Sequence, residues 1–343
     1  MRTAILGAGS LGTVIGALLS KNGCQVDLID SFKENVDALN KHGAKVTGFM
    51  DLIVPIKAYT PDQLSGHYDL VILLTKQTTN KTALAAILPF LHDRSTVCTL
   101  QNGIPEEAVA GIVGRPRTVG GTVGFGATWI SPGVSELTST AATVENFAFE
   151  IGEMDGQQTD RILQVQKILS LVGKTVILPD LMGVRWSKLL MNATFSGMSA
   201  ALGCTFGNVL DDHKAMQCLA HVADETVKAC HASGYRMVEM NGLNMGRLEL
   251  ANHADIPNKM PLYHQVWDKH RKLKASMLQD LEKGRPCEID YINGVVAQAG
   301  KRLGIKTPFN DKIIELVKEA EARKGVNDFS YLSRFDTLLA AFD

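Results

Sequence analysis

A strand too short to fold alone, Thr3-Ala-Ile-Leu6, runs directly into Gly7-Ala-Gly-Ser-Leu-Gly12, and an apolar-periodic stretch through Val14, Ile15, Leu18 and Leu19 follows. This order of strand, glycine turn and helix constrains the fold more than any other feature of the chain. Gly7 permits the tight turn, Gly9 lets backbone approach a ligand, and Gly12 lets the helix pack closely on the strand. The amides that start the helix, around Ala8, Ser10 and Leu11, have no intrahelical partner and form an anion site suited to a pyrophosphate. Such glycine spacing is weak evidence alone. A second strand, Gln25-Val-Asp-Leu-Ile-Asp30, strengthens it. It ends 18 residues after Gly12 (30 − 12), where dinucleotide folds set a carboxylate against ribose hydroxyls. Gly7, Ala8, Gly9, Ser10, Leu11, Gly12 and Asp30 are therefore the first candidate cofactor ligands. Asp30 favours NADH. A competing reading lets Lys33 or Lys76 attract the extra phosphate of NADPH while Asp30 turns away. A third makes Asp30 an N-cap for a helix starting at Phe32 or Lys33.

Further along, Asp69-Leu-Val-Ile-Leu-Leu-Thr75 and Thr96-Val-Cys-Thr-Leu100 are continuous apolar runs, suited to parallel strands covered on both faces. They end in Lys76-Gln-Thr-Thr and Gln101-Asn-Gly103. Ligands of open α/β sheets bind at such carboxyl ends, which brings in Lys76 and Asn102, although Asn102-Gly103 also reads as a plain turn. Residues 44 to 58 alternate like short strands, and a helix runs from about Pro105 to Val113. The glycine-rich stretch 120–127 predicts a close backbone approach. Residues 131–137 and 147–151 predict the two strands of an antiparallel addition. A helix over 161–171 and a strand over 174–178 follow, and Pro179-Asp180 marks a boundary.

Beyond it helical periodicity takes over, near 181–202, 213–233, 262–283, 288–303 and 309–322. With 343 residues the chain exceeds one core, so two domains are expected: 1–179 for dinucleotide binding, and 180–343 as a helical substrate and dimerisation domain. The fold class is α/β, a Rossmann-type domain followed by an all-helical one. Segment 236–261 is the least regular and reads as a loop or lid. In the first helix, Leu189, Leu190, Met191, Phe195 and Met198 call for burial, yet Lys188, Asn192, Ser196 and Ser199 form a polar stripe on one side. A lysine there must find an anion, reach water or lose its proton; one that packs its stem and sends its amine to solvent satisfies the same pattern. Pro286, Glu288 and Asp290 suit a helix start at 288, where an acid is ordinary.

The balance of 35 basic and 36 acidic residues gives no electrostatic argument for nucleic acid or a membrane surface. No apolar run approaches the ~20 residues of a membrane span. Six scattered cysteines without a CxxC pair favour reduced, buried thiols over disulfides or a metal centre. A cytoplasmic enzyme without metal is the expectation.

Taken together, Gly7 to Gly12, Lys76 in Thr-Lys-Gln, Asn102 in Gln-Asn-Gly, Lys188 with Asn192, Ser276 in Ser-Met-Leu-Gln-Asp and Glu288 in Glu-Ile-Asp-Tyr-Ile-Asn-Gly294 resemble the ketopantoate reductases (2-dehydropantoate 2-reductases). The resemblance implies a homodimeric reductase of pantothenate biosynthesis, with NADPH as the family default and a site in a cleft between the domains. It implies that Lys188 is the proton donor, that Glu288 contacts that lysine and the cofactor, and that Ser276 holds the substrate carboxylate. By the same resemblance Asn102 touches cofactor and substrate, Asn192 and Ser196 face substrate, and Ala127 brings backbone to the cofactor. The family usually has asparagine where Ser196 stands, and another near residue 206, where this chain has Thr205-Phe-Gly207 with Asn208 nearby. The expected function is NAD(P)H-dependent reduction of a small branched 2-oxo acid, ketopantoate to (R)-pantoate being the leading case. The alternatives are reduction of another 2-oxo acid or an opine-type imine, and a non-catalytic dinucleotide sensor.

Overall fold

A computed structural model describes residues 1–342. The chain divides into two compact units, Met1–Leu181 and Met182–Asp343.

The first unit contains twelve strands: β1 (Thr3–Leu6), β2 (Val26–Ile29), β3 (Ala44–Gly48), β4 (Leu52–Val54), β5 (Lys57–Tyr59), β6 (Tyr68–Leu73), β7 (Leu91–Thr99), β8 (Thr118–Val123), β9 (Ala127–Ser131), β10 (Val134–Leu137), β11 (Phe149–Gly152) and β12 (Thr175–Ile177). Eight of them form one sheet in the order β12-β11-β8-β7-β6-β1-β2-β5. All its pairings are parallel except that of β8 with β11. The order reverses between β1 and β6, the switch point at which doubly wound sheets bind ligands. Alternate residues of the inner strands feed two cores. Ile5, Leu28, Ile72 and Cys98 belong to one cluster, and Leu6, Ile29, Val71 and Val97 to the other. Burial on both faces is why these strands read as unbroken apolar runs.

One expectation for the first unit needs correction. β10 pairs with β9 and β3 in a separate four-stranded sheet, whereas β11 joins the main sheet, so 131–137 and 147–151 are not partners. The close approach expected of the glycine-rich stretch is present: a Cβ on Gly120 would collide with the Glu106 carboxylate, and one on Gly121 or Gly124 with the Glu150 or Phe147 carbonyl. The helices Asn80–Ile87 and Ala141–Phe147 lie where no periodicity predicted them; both are short, with three buried residues in the first and one in the second.

The second unit is helical around His213–Ala232, a 20-residue helix with 14 residues buried. The expected helix over 262–283 is two: Ile256–Trp267 ends, a short 3-10 turn follows, and a new helix runs Ser276–Glu282. The one expected from 288 begins at Asn293, after a 3-10 turn over Ile289–Tyr291. Segment 236–261 is packed rather than lid-like. It makes a small hairpin, β13 (Glu239–Met240) with β14 (Leu243–Asn244), and buries Met237, Leu243, Met245, Leu248, Leu250 and Ile256. Its backbone is tied down by side chains: the Ser187 hydroxyl accepts from the Val238 amide at 2.8 Å, and the Asp224 carboxylate from the Leu250 amide at 2.8 Å. Among the described residues no helix is long and apolar enough to cross a membrane.

Candidate active site

In the first unit the glycine turn is built from backbone. Gly7 adopts φ +106°, and a Cβ there would stand 2.6 Å from the Thr75 amide nitrogen. A Cβ on Gly12 would overlap the Gly7 carbonyl oxygen, whereas one on Gly9 would meet no heavy atom within 4 Å. The turn therefore closes on itself at Gly7 and Gly12 and is open at Gly9. Gly9 is also the N-cap of the Ser10–Lys21 helix, which has no side-chain capping hydrogen bond. Ser10 and Leu11 are partly exposed beside it. An open glycine at an uncapped helix start fits the pyrophosphate of a dinucleotide.

Asparagine and aspartate hold this turn in place. The Ala8 carbonyl accepts from Thr13 Oγ1 at 2.9 Å and from Asn35 Nδ2 at 3.0 Å. Asn35 also donates to Asp30 Oδ2 at 3.3 Å and accepts from the Gly133 amide at 2.8 Å. Asp30 is partly exposed, and its Oδ1 accepts from the Phe32 amide at 2.9 Å, an Asx-turn; the N-cap of the next helix is Phe32. Lys33, the rival phosphate ligand, pairs with Asp37 at 2.7 Å, one turn along its own helix.

At the carboxyl ends of β6 and β7, Gln101 Nε2 donates to the Thr75 carbonyl and to Asn80 Oδ1, both at 2.6 Å, while its Oε1 accepts from Asn80 Nδ2 at 3.1 Å. Gln77 Nε2 donates to the Asn102 carbonyl at 2.6 Å. These buried amides pin two loops from which Lys76 and Asn102 are exposed. Gly103 has φ +78°, so Asn102-Gly103 is a turn and also presents a side chain. Ala127 opens β9, partly exposed.

In the second unit the helix Leu181–Met191 continues through a π-helical turn, Asn192–Ser196, into Gly197–Leu202. From 181 to 202 every residue is buried except Lys188, Met191, Asn192 and Ser196. Ser199 is not part of the accessible stripe. Its hydroxyl is buried, donating to the Cys204 carbonyl at 2.6 Å and accepting from the Ala275 amide at 3.2 Å. Ser276 is exposed in the first turn of its helix, and Glu288 is partly exposed in the bend before Ile289. Asn208, close to where the asparagine is missing near residue 206, is exposed with its oxygen engaged locally. Its Oδ1 accepts from the Thr205 amide at 3.0 Å and hydroxyl at 2.7 Å, a capping box that fixes a helix start. Five of the six cysteines are buried, and burial pushes the Cys204, Cys218 and Cys287 thiols up to about 12, which keeps them protonated.

The family profile described as "Ketopantoate reductase PanE/ApbA" matches residues 3–153, and "Ketopantoate reductase PanE/ApbA C terminal" matches 180–321. A 2-dehydropantoate 2-reductase of Pyrococcus horikoshii is 30% identical over 327 residues, covering 95% of this chain and 99% of that one. The chain belongs to the ketopantoate reductase family. Its membership makes it one of a family of oxidoreductases. Among solved structures, 2-dehydropantoate 2-reductase from Geobacter metallireducens is 26% identical, with a TM-score of 0.76 over 93% of this chain and 100% of the other. A ternary complex of D-mandelate dehydrogenase with NADH and anilino(oxo)acetate, 23% identical, has a TM-score of 0.80 over 95% and 100% of the two chains and shares the fold. Within this ketopantoate reductase-family chain, sequence reasoning missed Asn35, Asn80 and Gln101 as organisers of the first unit's loops. Gln101 stood inside the Gln-Asn-Gly motif, but nothing local distinguishes Asn35 or Asn80 from surface asparagines.

Proposed function

We propose that this protein reduces 2-dehydropantoate to (R)-pantoate at the expense of NAD(P)H. Membership of the family over both halves of the chain supports the reaction, and the observation that carries the residue assignment is the partly exposed strip Lys188, Asn192, Ser196 on an otherwise buried helix. Gly7, Ala8, Gly9, Ser10, Leu11 and Gly12 receive the pyrophosphate, Asp30 the adenosine ribose, and Lys76, Asn102 and Ala127 the remainder of the dinucleotide. In the proposed division into 1–179 and 180–343 these residues fall in the first domain, and Lys188, Asn192, Ser196, Ser276 and Glu288 in the second. Asp30 and the Lys33–Asp37 pair support NADH over NADPH. A bound reduced nicotinamide supplies hydride to the ketone carbon. As negative charge accumulates on the ketone oxygen, the Lys188 ammonium stabilises it and delivers the proton. Glu288 holds that ammonium charged, Ser276 and the helix start beside it receive the substrate carboxylate, and Asn102, Asn192 and Ser196 orient the rest. Homodimeric assembly and a cytoplasmic location complete the proposal, the first read out by sedimentation.

Reduced-nicotinamide absorbance, followed with ketopantoate and NADH or NADPH in turn, tests reaction and cofactor together. Lys188→Ala is expected to lower kcat by at least ~10²-fold, the lower end of acid–base contributions. Unchanged turnover in that variant overturns the assignment and leaves a dinucleotide-binding fold. One observation favours a second reading, a different 2-oxo acid: Ser196 is shorter than the family's asparagine, and Asn208 is committed to the capping box. Ketopantoate turnover no better than that of 2-oxo acids lacking its hydroxyl decides for that reading.

A further inference from the structure

The π-helical turn at Asn192–Ser196 deprives one carbonyl of its α-helical donor. In an α-helix the Gly197 amide would bond to the Ala193 carbonyl, four residues back. Here it reaches five residues back to Asn192. The Ala193 carbonyl instead accepts from Asn293 Nδ2 at 2.9 Å, a carboxamide a hundred residues away in sequence. That carboxamide is fully buried. Its Nδ2 also donates to Asn310 Oδ1 at 2.9 Å, and Asn310 Nδ2 donates to Glu225 Oε2 at 2.7 Å. The carboxylate, which further accepts from the Phe309 and Asn310 amides at 2.9 Å each, fixes the orientation of both amides in the chain. A Cβ on Gly197 would lie 2.8 Å from Asn293 Oδ1, so the carboxamide is seated against the helix backbone itself.

The extra residue in the turn changes which side chains share a face. At about 100° per residue, the step from Lys188 to Ser196 would carry Ser196 about 80° away around an α-helix. With one residue absorbed by the wide turn the angle falls to about 20°, on the other side. Asn192, one α-helical turn after Lys188, lies about 40° away. The burial pattern agrees: these three polar residues and Met191 are open, and Leu189, Leu190, Ala193, Thr194 and Phe195 are closed.

We propose that Asn293 is a positioning residue: its carboxamide satisfies the Ala193 carbonyl, which the π-turn deprives of its α-helical donor, and so holds Ser196 in line with Lys188 and Asn192. The proposal rests on the proposed function in that Lys188 and its neighbours face substrate. Its test is a double-mutant cycle in the full-length protein. Asn293→Ser is expected to raise KM for ketopantoate, or for the best 2-oxo acid found, by at least tenfold. NAD(P)H affinity should stay within twofold and kcat should change less than KM. Ser196→Ala should raise KM in the wild-type background and have no further effect once Asn293 is replaced. Hydrogen exchange over residues 188–199 should rise in Asn293→Ser, with that over 213–232 unchanged. Asn310→Ser, which loosens the same carboxamide from its far side, is the second handle if Asn293→Ser does not accumulate as folded protein. It should give the same split. Independent, multiplying effects of the position 293 (or 310) and 196 substitutions overturn the proposal, as does an unchanged KM. Loss of turnover in Lys188→Ala alongside either of those results leaves the proposed function standing and removes only the role of Asn293.

Discussion

The glycine turn of the first unit and the polar strip of the second are built by opposite means. The turn is shaped by backbone: its form follows from what residues 7 and 12 lack, its close neighbours are Leu74-Thr75 after β6 and its own carbonyl, and Thr13 and Asn35 tie down the Ala8 carbonyl. The strip is made of side chains on a helix whose register is set by a carboxamide from a distant element. A backbone site tolerates almost no added atom at the positions where it closes on itself, Gly7 and Gly12. A strip of side chains tolerates substitution around it and fails when a remote support is removed.

The largest effect expected separates the closed glycines from the open one. Gly12→Ala places a Cβ into the Gly7 carbonyl, with no flexible side chain to give way. It should lower NAD(P)H affinity by at least about 100-fold, roughly 3 kcal/mol, and lower the melting temperature as well. Gly9→Ala has free space and an ordinary φ of −71°, so folding should be unaffected while affinity falls about tenfold through the ligand side alone. Calorimetric titration with NADH and NADPH, beside thermal unfolding, measures both. Wild-type affinity in Gly9→Ala would mean that no phosphate approaches that position, and the backbone half of the comparison would fail.

The same contrast explains what was legible in the sequence. Strand, glycine turn and second strand could be read because each signal is local: burial on both faces gives unbroken apolar runs, and a forced turn needs glycine within a few residues. The polar strip could be read too, since Lys188, Asn192 and Ser196 interrupt an apolar helix. What stayed hidden depends on partners far along the chain. Ser199 carries the same signature as Ser196 yet is spent on the Cys204 carbonyl and the Ala275 amide. The π-turn has no sequence signature because its stabilising donor is Asn293. Segment 236–261 looked loose because its anchors, Ser187 and Asp224, lie on helices elsewhere. Short helices such as Asn80–Ile87 are fixed by Gln101 rather than by periodicity.

A smaller effect probes the support behind the strip by pH. Burial pushes the Glu225 carboxyl up to about 7, and burial, with His253 beside it, holds His221 down at about 4. Between pH 5 and 6.5 folded Glu225 keeps a proton that the unfolded chain has released, so its contribution falls as pH rises. Folded His221 stays neutral while the unfolded chain is largely protonated at the low end, so its contribution rises with pH. Each amounts to about 2 kcal/mol over that interval, in opposite directions, and they nearly cancel. Glu225→Gln should leave His221 unopposed and make stability climb with pH; His221→Phe, which keeps the stack on Phe309, should make it fall. Urea unfolding followed by tryptophan fluorescence at several pH values reads the slopes. Parallel profiles in wild type and both variants would show that neither group titrates in this range, and the buried support would then carry no charge effect.

The smallest effect sharpens the comparison at its weakest point, where a side chain that resembles a ligand has its oxygen engaged in local structure. Asn208 stands close to the position where the family pattern calls for a substrate asparagine, yet its Oδ1 is committed to both the amide and the hydroxyl of Thr205. A capping box lost from one helix start costs about 1 kcal/mol. Asn208→Ala should therefore destabilise the protein by about that much and leave KM unchanged for every 2-oxo acid turned over. Ser196→Asn, which restores the family residue at the strip, should instead leave stability nearly level and shift the ratio of kcat/KM between ketopantoate and its hydroxyl-free analogue toward ketopantoate. A rise in KM on replacing Asn208 would mean that it reaches substrate despite its cap, and polar grip would then extend beyond the π-turn to the helix start at Thr205.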